Sequence, residues 1–240
     1  METPVTEEMV VTYHIAKGPH KAYCEDSALI GGTVINDAAG SVVLQKPCRI
    51  CLCDGVGGNA GGREASLFVC EHMSDDLIAL NEKLIAYGRQ RNQPSMATTL
   101  TGLHFTEDTV ILSHAGNTRL YAIRGGYLSQ VTEDQTTYAW LKSMGNLEGA
   151  EACNKSEIRC AFGGGSAEYL KSLIVEPVFE RRQPRMLLLT TDGVHDYVPV
   201  ERMEEILAME PPLMERIDRL IACARENGSE DDCSVIVVEQ

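Results

Sequence analysis

The sequence has 240 residues, which suits one large domain or two small ones and is long enough to bury a core without disulfide bonds. Hydrophobic residues make up 44% and charged residues 23%, a composition that excludes wholesale disorder. The formal net charge is −14, from 21 Lys and Arg against 35 Asp and Glu, and no basic stripe is present. Nucleic acid and an anionic membrane surface are therefore excluded as main partners.

The nine cysteines lie mostly in apolar stretches, and their number is odd. The N-terminus has no basic start and no apolar stretch of signal length, and no run approaches the ~20 apolar residues of a membrane span. We therefore expect free thiols and a reducing, cytoplasmic compartment. Cys48 and Cys51 form a C-x-x-C pair, but residues three apart in a strand point to opposite faces, which favours packing over metal binding.

Taken in chain order, β-rich patterns predict strands at 10–15, 41–44 and 49–53, followed by a glycine-rich turn. Apolar residues at helical spacing from Ala65 to Leu84 predict one helix over about 63–80. Further strands are predicted at 98–105, 109–114, 120–123, 173–179, 186–190 and 235–238, and helices at 200–209 and 213–224. Residues 133–171 are irregular, with weak helical pieces. Hairpin-like runs of strands with paired helices between them predict an α+β fold with antiparallel sheets.

Acidic residues recur at the ends of these strands. Asp54 and Asp192 each end an apolar strand and precede a glycine, and Asp231 comes just before the last strand. A carboxylate at the edge of a buried strand is costly unless it is paired or ligated, and an Asp-Gly step exposes the glycine carbonyl as a further oxygen ligand. A fourth acidic pair, Glu25 and Asp26, precedes residues 28–30. Oxygen ligands of this kind suit Mg²⁺ or Mn²⁺, so the pattern indicates a metal centre.

Seven segments together resemble the metal-dependent protein Ser/Thr phosphatases of type 2C, in particular the short bacterial members. In chain order they are G-P-H-K…E-D-S at 18–27, D-G-V-G-G at 54–58, T-T-L at 98–100, A-G-N-T-R at 115–119, Q-V-T-E-D at 130–134, T-D-G-V at 191–194 and D-D-C-S-V at 231–235. The last of these resembles the family's D-N-x-T-V. Each segment alone is weak, but all of them in family order are specific.

This resemblance implies a four-layer α-β-β-α sandwich, with two antiparallel sheets flanked by helix pairs. No linker, charge block or repeat divides the chain, so we predict a single phosphatase domain over 1–240, with the flap at 133–171. The implied reaction is hydrolysis of phosphoserine and phosphothreonine by a water that bridges two divalent ions, Mn²⁺ or Mg²⁺. The implied partners are a phosphorylated protein substrate and a Ser/Thr kinase or its targets, with the phosphatase acting as a monomer.

The resemblance also assigns the site residues. Asp54 and Asp192 are implied catalytic residues: Asp54 would bridge both metals, while Asp192 and Asp231 would complete the shell of one. The Gly55 carbonyl would bind the other ion, and Glu25 and Asp26 would hold its waters. Lys21 lies where the family has an arginine that grips the substrate phosphate, so it is the implied catalytic and substrate-binding cation, acting as a point charge instead of a bidentate fork.

Three differences from the family pattern bear on activity: Lys21 itself, Val56 and Asn117. Val56 lies where some members carry a histidine proposed as general acid, and valine cannot donate a proton. Asn117 replaces an aspartate that contributes to a third metal site, so we predict that this site is weak or absent, with Asp196 compensating in part. We expect modest turnover.

Parts of the sequence also fit other functions. The main alternative is a catalytically weak pseudophosphatase that binds a phosphoprotein or kinase as a regulator, and a regulator of anti-sigma-type phosphoproteins is a third option. The G-x-G-x-x-A pattern at 55–60 also fits a dinucleotide-binding turn, but Asp54 would place a negative charge beside the pyrophosphate.

Overall fold

A computed structural model describes residues 8–56, 61–179 and 186–240. The strands are β1 Glu8–Ala16, β2 Ser27–Ile30, β3 Thr33–Ile35, β4 Ala38–Gln45, β5 Cys48–Cys53, β6 Ala97–Thr98, β7 Leu100–Phe105, β8 Val110–Ala115, β9 Arg119–Arg124, β10 Tyr127–Gln130, β11 Phe162–Gly163, β12 Ile174–Phe179, β13 Met186–Thr190 and β14 Cys233–Glu239. The helices are α1 Gly62–Glu71, α2 Leu77–Gln90, α3 Thr137–Ser143, α4 Leu147–Ala152, α5 Asp192–His195, α6 Val200–Leu207 and α7 Leu213–Glu226.

The strands form two six-stranded antiparallel sheets. Sheet I has the order β10-β9-β13-β14-β1-β4, and sheet II has the order β12-β8-β7-β5-β2-β3. A small two-stranded sheet pairs β11 with β6. Apolar side chains of both large sheets pack face to face in one core, α1 and α2 cover the outer face of sheet II, and α6 and α7 cover that of sheet I. The predicted four-layer α-β-β-α sandwich is confirmed.

The central strands are covered on both faces, which explains their continuous apolar runs. In β14, Ile236 and Val238 face the core between the sheets, while Val235 and Val237 pack against α6 and α7. This division follows from the two-residue period of a strand, which sends alternate side chains to opposite faces.

The single helix predicted over 63–80 is wrong. The chain instead forms α1 and α2, with a break between His72 and Asp76. The Asp76 side chain accepts a hydrogen bond from the backbone N–H of Ala79 at 2.9 Å, which starts the second helix. Val69 on α1 and Leu77 on α2 enter the same apolar cluster. Because both helices bury residues in this cluster, the spacing of apolar residues continues past the break and does not indicate it.

Residues 133–171 contain the short helices α3 and α4 and strand β11. Trp140 on α3 is exposed, and the Arg159 guanidinium lies 4.4 Å from the centre of its ring. The assignment of this segment as a flap, like the single domain over 1–240, stays a prediction. Among the residues described, no helix is both long and apolar enough to cross a membrane. The nine cysteines are all free thiols.

Candidate active site

Carboxylates from both sheets converge at one edge of the sandwich. Asp54 follows β5 of sheet II, whereas Asp192 follows β13 and Asp231 precedes β14 of sheet I. Asp192 and Asp231 are close enough for their charges to act on Asp54. The structure therefore brings together the three aspartates that the sequence placed at separate strand ends.

The backbone of Asp54 is held by hydrogen bonds, whereas its carboxylate is not. Its N–H donates to Thr99 Oγ1 at 2.9 Å, and its carbonyl accepts from Thr99 N and Thr98 Oγ1, each at 2.8 Å. No hydrogen bond joins its carboxylate to another described residue. Burial, followed by the charges of Asp26, Asp192 and Asp231, raises the pKa of this carboxyl well above its usual range.

Gly55 occupies a position that admits no side chain. Its N–H donates to the Glu25 carbonyl at 3.2 Å. A Cβ at this residue would lie 2.4 Å from the Gly62 carbonyl oxygen and 2.8 Å from the Glu25 carbonyl oxygen. The close backbone approach explains why glycine follows Asp54. Residues 57–60, which include the last two glycines of the D-G-V-G-G segment, lie outside the described residues.

Asp26 is buried between the two sheets. Its Oδ2 accepts hydrogen bonds from Thr191 Oγ1 at 2.9 Å and Ser234 Oγ at 2.6 Å, both on the sheet I side. Burial first, and then the charges of Asp232 and Asp231, raise the pKa of Asp26 to about 8.

Asp192 begins α5 beside Asn117. The Asn117 side-chain amide donates from Nδ2 to Asp192 Oδ2 at 3.0 Å, while Asn117 Oδ1 is buried without a hydrogen-bond partner in the described structure. Burial and the charges of Asp231 and Asp196 raise the pKa of Asp192 to about 6. An amide oxygen in this position can accept from a donor or ligate a cation.

Lys21 is surrounded by carboxylates. Its Nζ lies 2.5 Å from Asp231 Oδ1, 3.0 Å from Asp232 Oδ2 and 3.0 Å from Glu25 Oε2. Burial alone would lower the pKa of Lys21, but these three hydrogen bonds outweigh it and raise the pKa above its usual value. The lysine is therefore a fixed positive charge at the site, and its part in binding phosphate stays a prediction.

Asp232 is a site residue that the sequence analysis did not single out. Its side chain is 1% exposed, against 51% for Asp231. Besides Lys21, it accepts from the N–H groups of Gly18 and Glu25, each at 2.7 Å. Two adjacent aspartates look alike in sequence, and only their position before β14 could have suggested that one of them points inward.

Neither His195 nor Val56 supplies an acid at this site. His195 lies buried on α5, where its Nδ1 pairs with Thr190 Oγ1 at 2.8 Å. Burial, together with the charge of Arg119, holds the pKa of His195 well below its usual value, so the ring is neutral. The Val56 backbone N–H donates to the Ala97 carbonyl.

The donor set fits divalent cations in its chemistry. All the implied ligands are oxygens, the Asp54 carboxylate accepts no hydrogen bond from another described residue, and burial together with neighbouring aspartates raises the pKa of Asp54 and Asp192. Within 8–56, 61–179 and 186–240, however, no three His, Cys, Asp or Glu side chains are already arranged to hold a metal ion. The Lys21 ammonium instead serves as the counter-ion for Asp231 and Glu25.

Comparison with known proteins agrees with this geometry, although no family model matches the chain. The serine/threonine protein phosphatase PstP of Mycobacterium tuberculosis is 31% identical over 213 residues, which cover 79% of this chain and 40% of that protein. The chain thus spans about two fifths of this relative. The serine/threonine phosphatase stp of Listeria monocytogenes is 26% identical over 215 residues, which cover 80% of this chain and 84% of that protein.

Solved structures show the same fold. The serine/threonine phosphatase Stp1 of Staphylococcus aureus superposes with a TM-score of 0.78 at 22% identity, covering 100% of this chain and 98% of that one. The catalytic domain of PstP in complex with 2 manganese ions superposes with a TM-score of 0.68 at 27% identity, covering 97% and 99%.

The fold thus matches the two-sheet sandwich of solved bacterial serine/threonine phosphatases. The curated relatives support the family that the sequence segments indicated, the metal-dependent protein serine/threonine phosphatases.

Proposed function

We propose that this protein is a metal-dependent protein phosphatase that hydrolyses phosphoserine and phosphothreonine. One observation carries the proposal: Asp54 of sheet II and Asp192 and Asp231 of sheet I converge at one edge, beside the cationic Lys21. The names of the relatives support the same reaction.

We infer a site for two divalent cations, which the manganese-bound PstP domain supports by likeness. Asp54, the Gly55 carbonyl, Asp192 and Asp231 would hold them, and Glu25 and Asp26 would hold their waters. Such cations supply a water of lowered pKa and neutralise the charge of a phosphoryl group. Mn²⁺ and Mg²⁺ both suit these oxygens, and the amide of Asn117 lacks the charge for a strong third site.

The chain's own residues bind and orient the substrate. Lys21 offers ammonium protons to the phosphoryl oxygens, and the double anchoring of Asp54 to Thr98 and Thr99 keeps its carboxylate in place during turnover. Because Val56 has no proton to give and His195 is buried, the leaving oxygen takes its proton from solvent.

Phosphate release from a phosphopeptide with Mn²⁺ tests the proposal. Asp192→Ala should lower turnover by at least about 100-fold, since loss of a ligand should cost no less than loss of its supporting partners. The matched control is Asp218→Ala, an exposed acid on α7 whose partner is His14. If the wild type releases no more phosphate than Asp192→Ala, the proposal is wrong; tight Mn²⁺ binding without turnover would then support the pseudophosphatase.

We also propose that the phosphatase acts as a monomer in the cytoplasm, on a Ser/Thr kinase or its targets. The free state of the nine cysteines supports a reducing compartment. Dephosphorylation of an autophosphorylated Ser/Thr kinase, monitored by mass spectrometry beside a gel-filtration mass, tests the partner and the oligomeric state.

A further inference from the structure

The Asp232 side chain is almost fully buried, and all the hydrogen bonds that it accepts come from donors of the protein. Oδ1 accepts from Gly18 N, and Oδ2 accepts from both Glu25 N and Lys21 Nζ. The carboxylate is thus satisfied by the protein itself and has no need of a metal.

The backbone packs closely around Asp232. Its N–H donates to Asp231 Oδ1 at 2.8 Å. A Cβ on Gly193 would lie 1.9 Å from the Asp232 carbonyl oxygen, and a Cβ on Gly18 would lie 2.4 Å from the Glu230 carbonyl oxygen. Glycines at both positions let the chain close tightly around this aspartate, and hydrogen bonds from two backbone N–H groups hold its carboxylate.

The three protons of the Lys21 ammonium all have acceptors: Asp231, Glu25 and Asp232. Asp231 is half exposed and, like Glu25, is assigned above to the metal site. Asp232 alone is both buried and outside that set. Of the three bonds, the one to Asp232 is therefore the one that would be kept if Asp231 held a cation and Glu25 held its waters.

We propose that Asp232 is a positioning residue that fixes the Lys21 ammonium, so that its other two protons face the phosphate of a phosphomonoester substrate. The inference rests on the proposed function and deepens it. In the family pattern the two positions carry arginine and asparagine, whereas here they carry lysine and aspartate. A lysine lacks the planar guanidinium with which arginine binds a phosphate through two N–H groups. The buried Asp232 carboxylate instead orients the lysine ammonium.

Asp232→Asn tests the inference because it keeps the shape but turns an amide toward Lys21. The KM for a phosphopeptide and the Ki for inorganic phosphate should both rise about tenfold, from loss of one charge-assisted hydrogen bond, while kcat changes less than about twofold. Glu230→Gln, which removes the same charge from an exposed side chain two residues away, should leave all three unchanged.

A double-mutant cycle separates positioning from general damage. In a Lys21→Gln background, Asp232→Asn should add less than about twofold to the Ki, because the residue through which it acts is gone. If Asp232→Asn does not fold, as judged by its thermal melt, Asp232→Glu replaces it; this variant keeps the charge, displaces the carboxylate by one methylene, and should raise the Ki as well.

Unchanged KM and Ki in the Asp232 variants, or independent losses in the Lys21→Gln background, would overturn the inference. Failure of the proposed function would look different, because the wild type itself would then lack Mn²⁺-dependent turnover. In that event, calorimetric binding of inorganic phosphate in the presence of Mn²⁺ tests Asp232 on the same variants: weaker binding in Asp232→Asn supports the role, and equal binding refutes it.

Discussion

Replacing Asn117 by aspartate should destabilise the metal-free protein. The substitution removes the hydrogen bond from Asn117 Nδ2 to Asp192 Oδ2, a charge-assisted bond worth about 1.5–3 kcal/mol. It also sets a second carboxylate against Asp192, a repulsion of at most about 4 kcal/mol at ~4 Å and an effective dielectric constant of ~20. Because one carboxyl can take up a proton instead, we expect a net loss of about 2–4 kcal/mol in the free energy of unfolding.

Urea unfolding with a chelator and with excess Mn²⁺ measures this effect. The carboxylate that replaces the Asn117 amide gives a cation another charged oxygen ligand. Mn²⁺ should therefore stabilise Asn117→Asp by at least about 1 kcal/mol more than it stabilises the wild type. Phosphatase activity should rise as well if a third ion contributes to turnover.

Asn154→Asp is the control, because it adds the same charge at an exposed site where the side-chain oxygen can still accept from Ser156 N. It should change the stability by less than about 0.5 kcal/mol. A loss that small in Asn117→Asp, or a gain from Mn²⁺ no larger than that of the wild type, would refute the electrostatic reasoning.

Three further predictions concern stability. Gly55→Ala should cost about 1–3 kcal/mol in urea unfolding, because two backbone oxygens block the new Cβ, and should cost more than Gly125→Ala, where φ is +60° but the space is open. The buried, neutral His195 binds fewer protons in the folded state than in the unfolded state, so the free energy of unfolding falls as the pH drops below about 6.5. His195→Gln should abolish about 1 kcal/mol of this loss between about pH 6.5 and 5.5. An equal loss in the wild type and in His195→Gln would contradict this. Asp76→Ala should lower the unfolding free energy by about 1 kcal/mol through loss of the α2 cap, unless the Ala79 N–H finds water at no cost.

The sequence was most informative where strands are buried on both faces. The apolar run of β13 gave both of its ends, Met186 and Thr190, and the aspartates just beyond such runs were found because charge stands out against an apolar background. The four layers followed from the strands, the helices and the family resemblance together.

What could not be predicted depends on contacts between distant segments. The hydrogen bond between Lys21 and Asp232 joins residues more than 200 positions apart. Nothing in the local sequence distinguishes Asp232 from Asp231. The break between α1 and α2 was hidden because the buried face continues across it. Asp76, a residue type that favours helix N-caps, was the one local indication that a second helix begins there. The continuous spacing of apolar residues instead favoured a single helix.

The placement of Asp26 also has a consequence for the uniqueness of the fold. Its carboxylate enters from the sheet II side and accepts hydrogen bonds from Thr191, which follows β13, and from Ser234, which lies in the adjacent strand β14 of sheet I. If β14 slipped by one residue in its pairing with β13, Ser234 would point to the opposite face, and the buried carboxylate would lose a donor. Apolar side chains alone tolerate other pairings, but this polar contact fits one, so Asp26 favours the register of β14 in which the acidic edge is assembled.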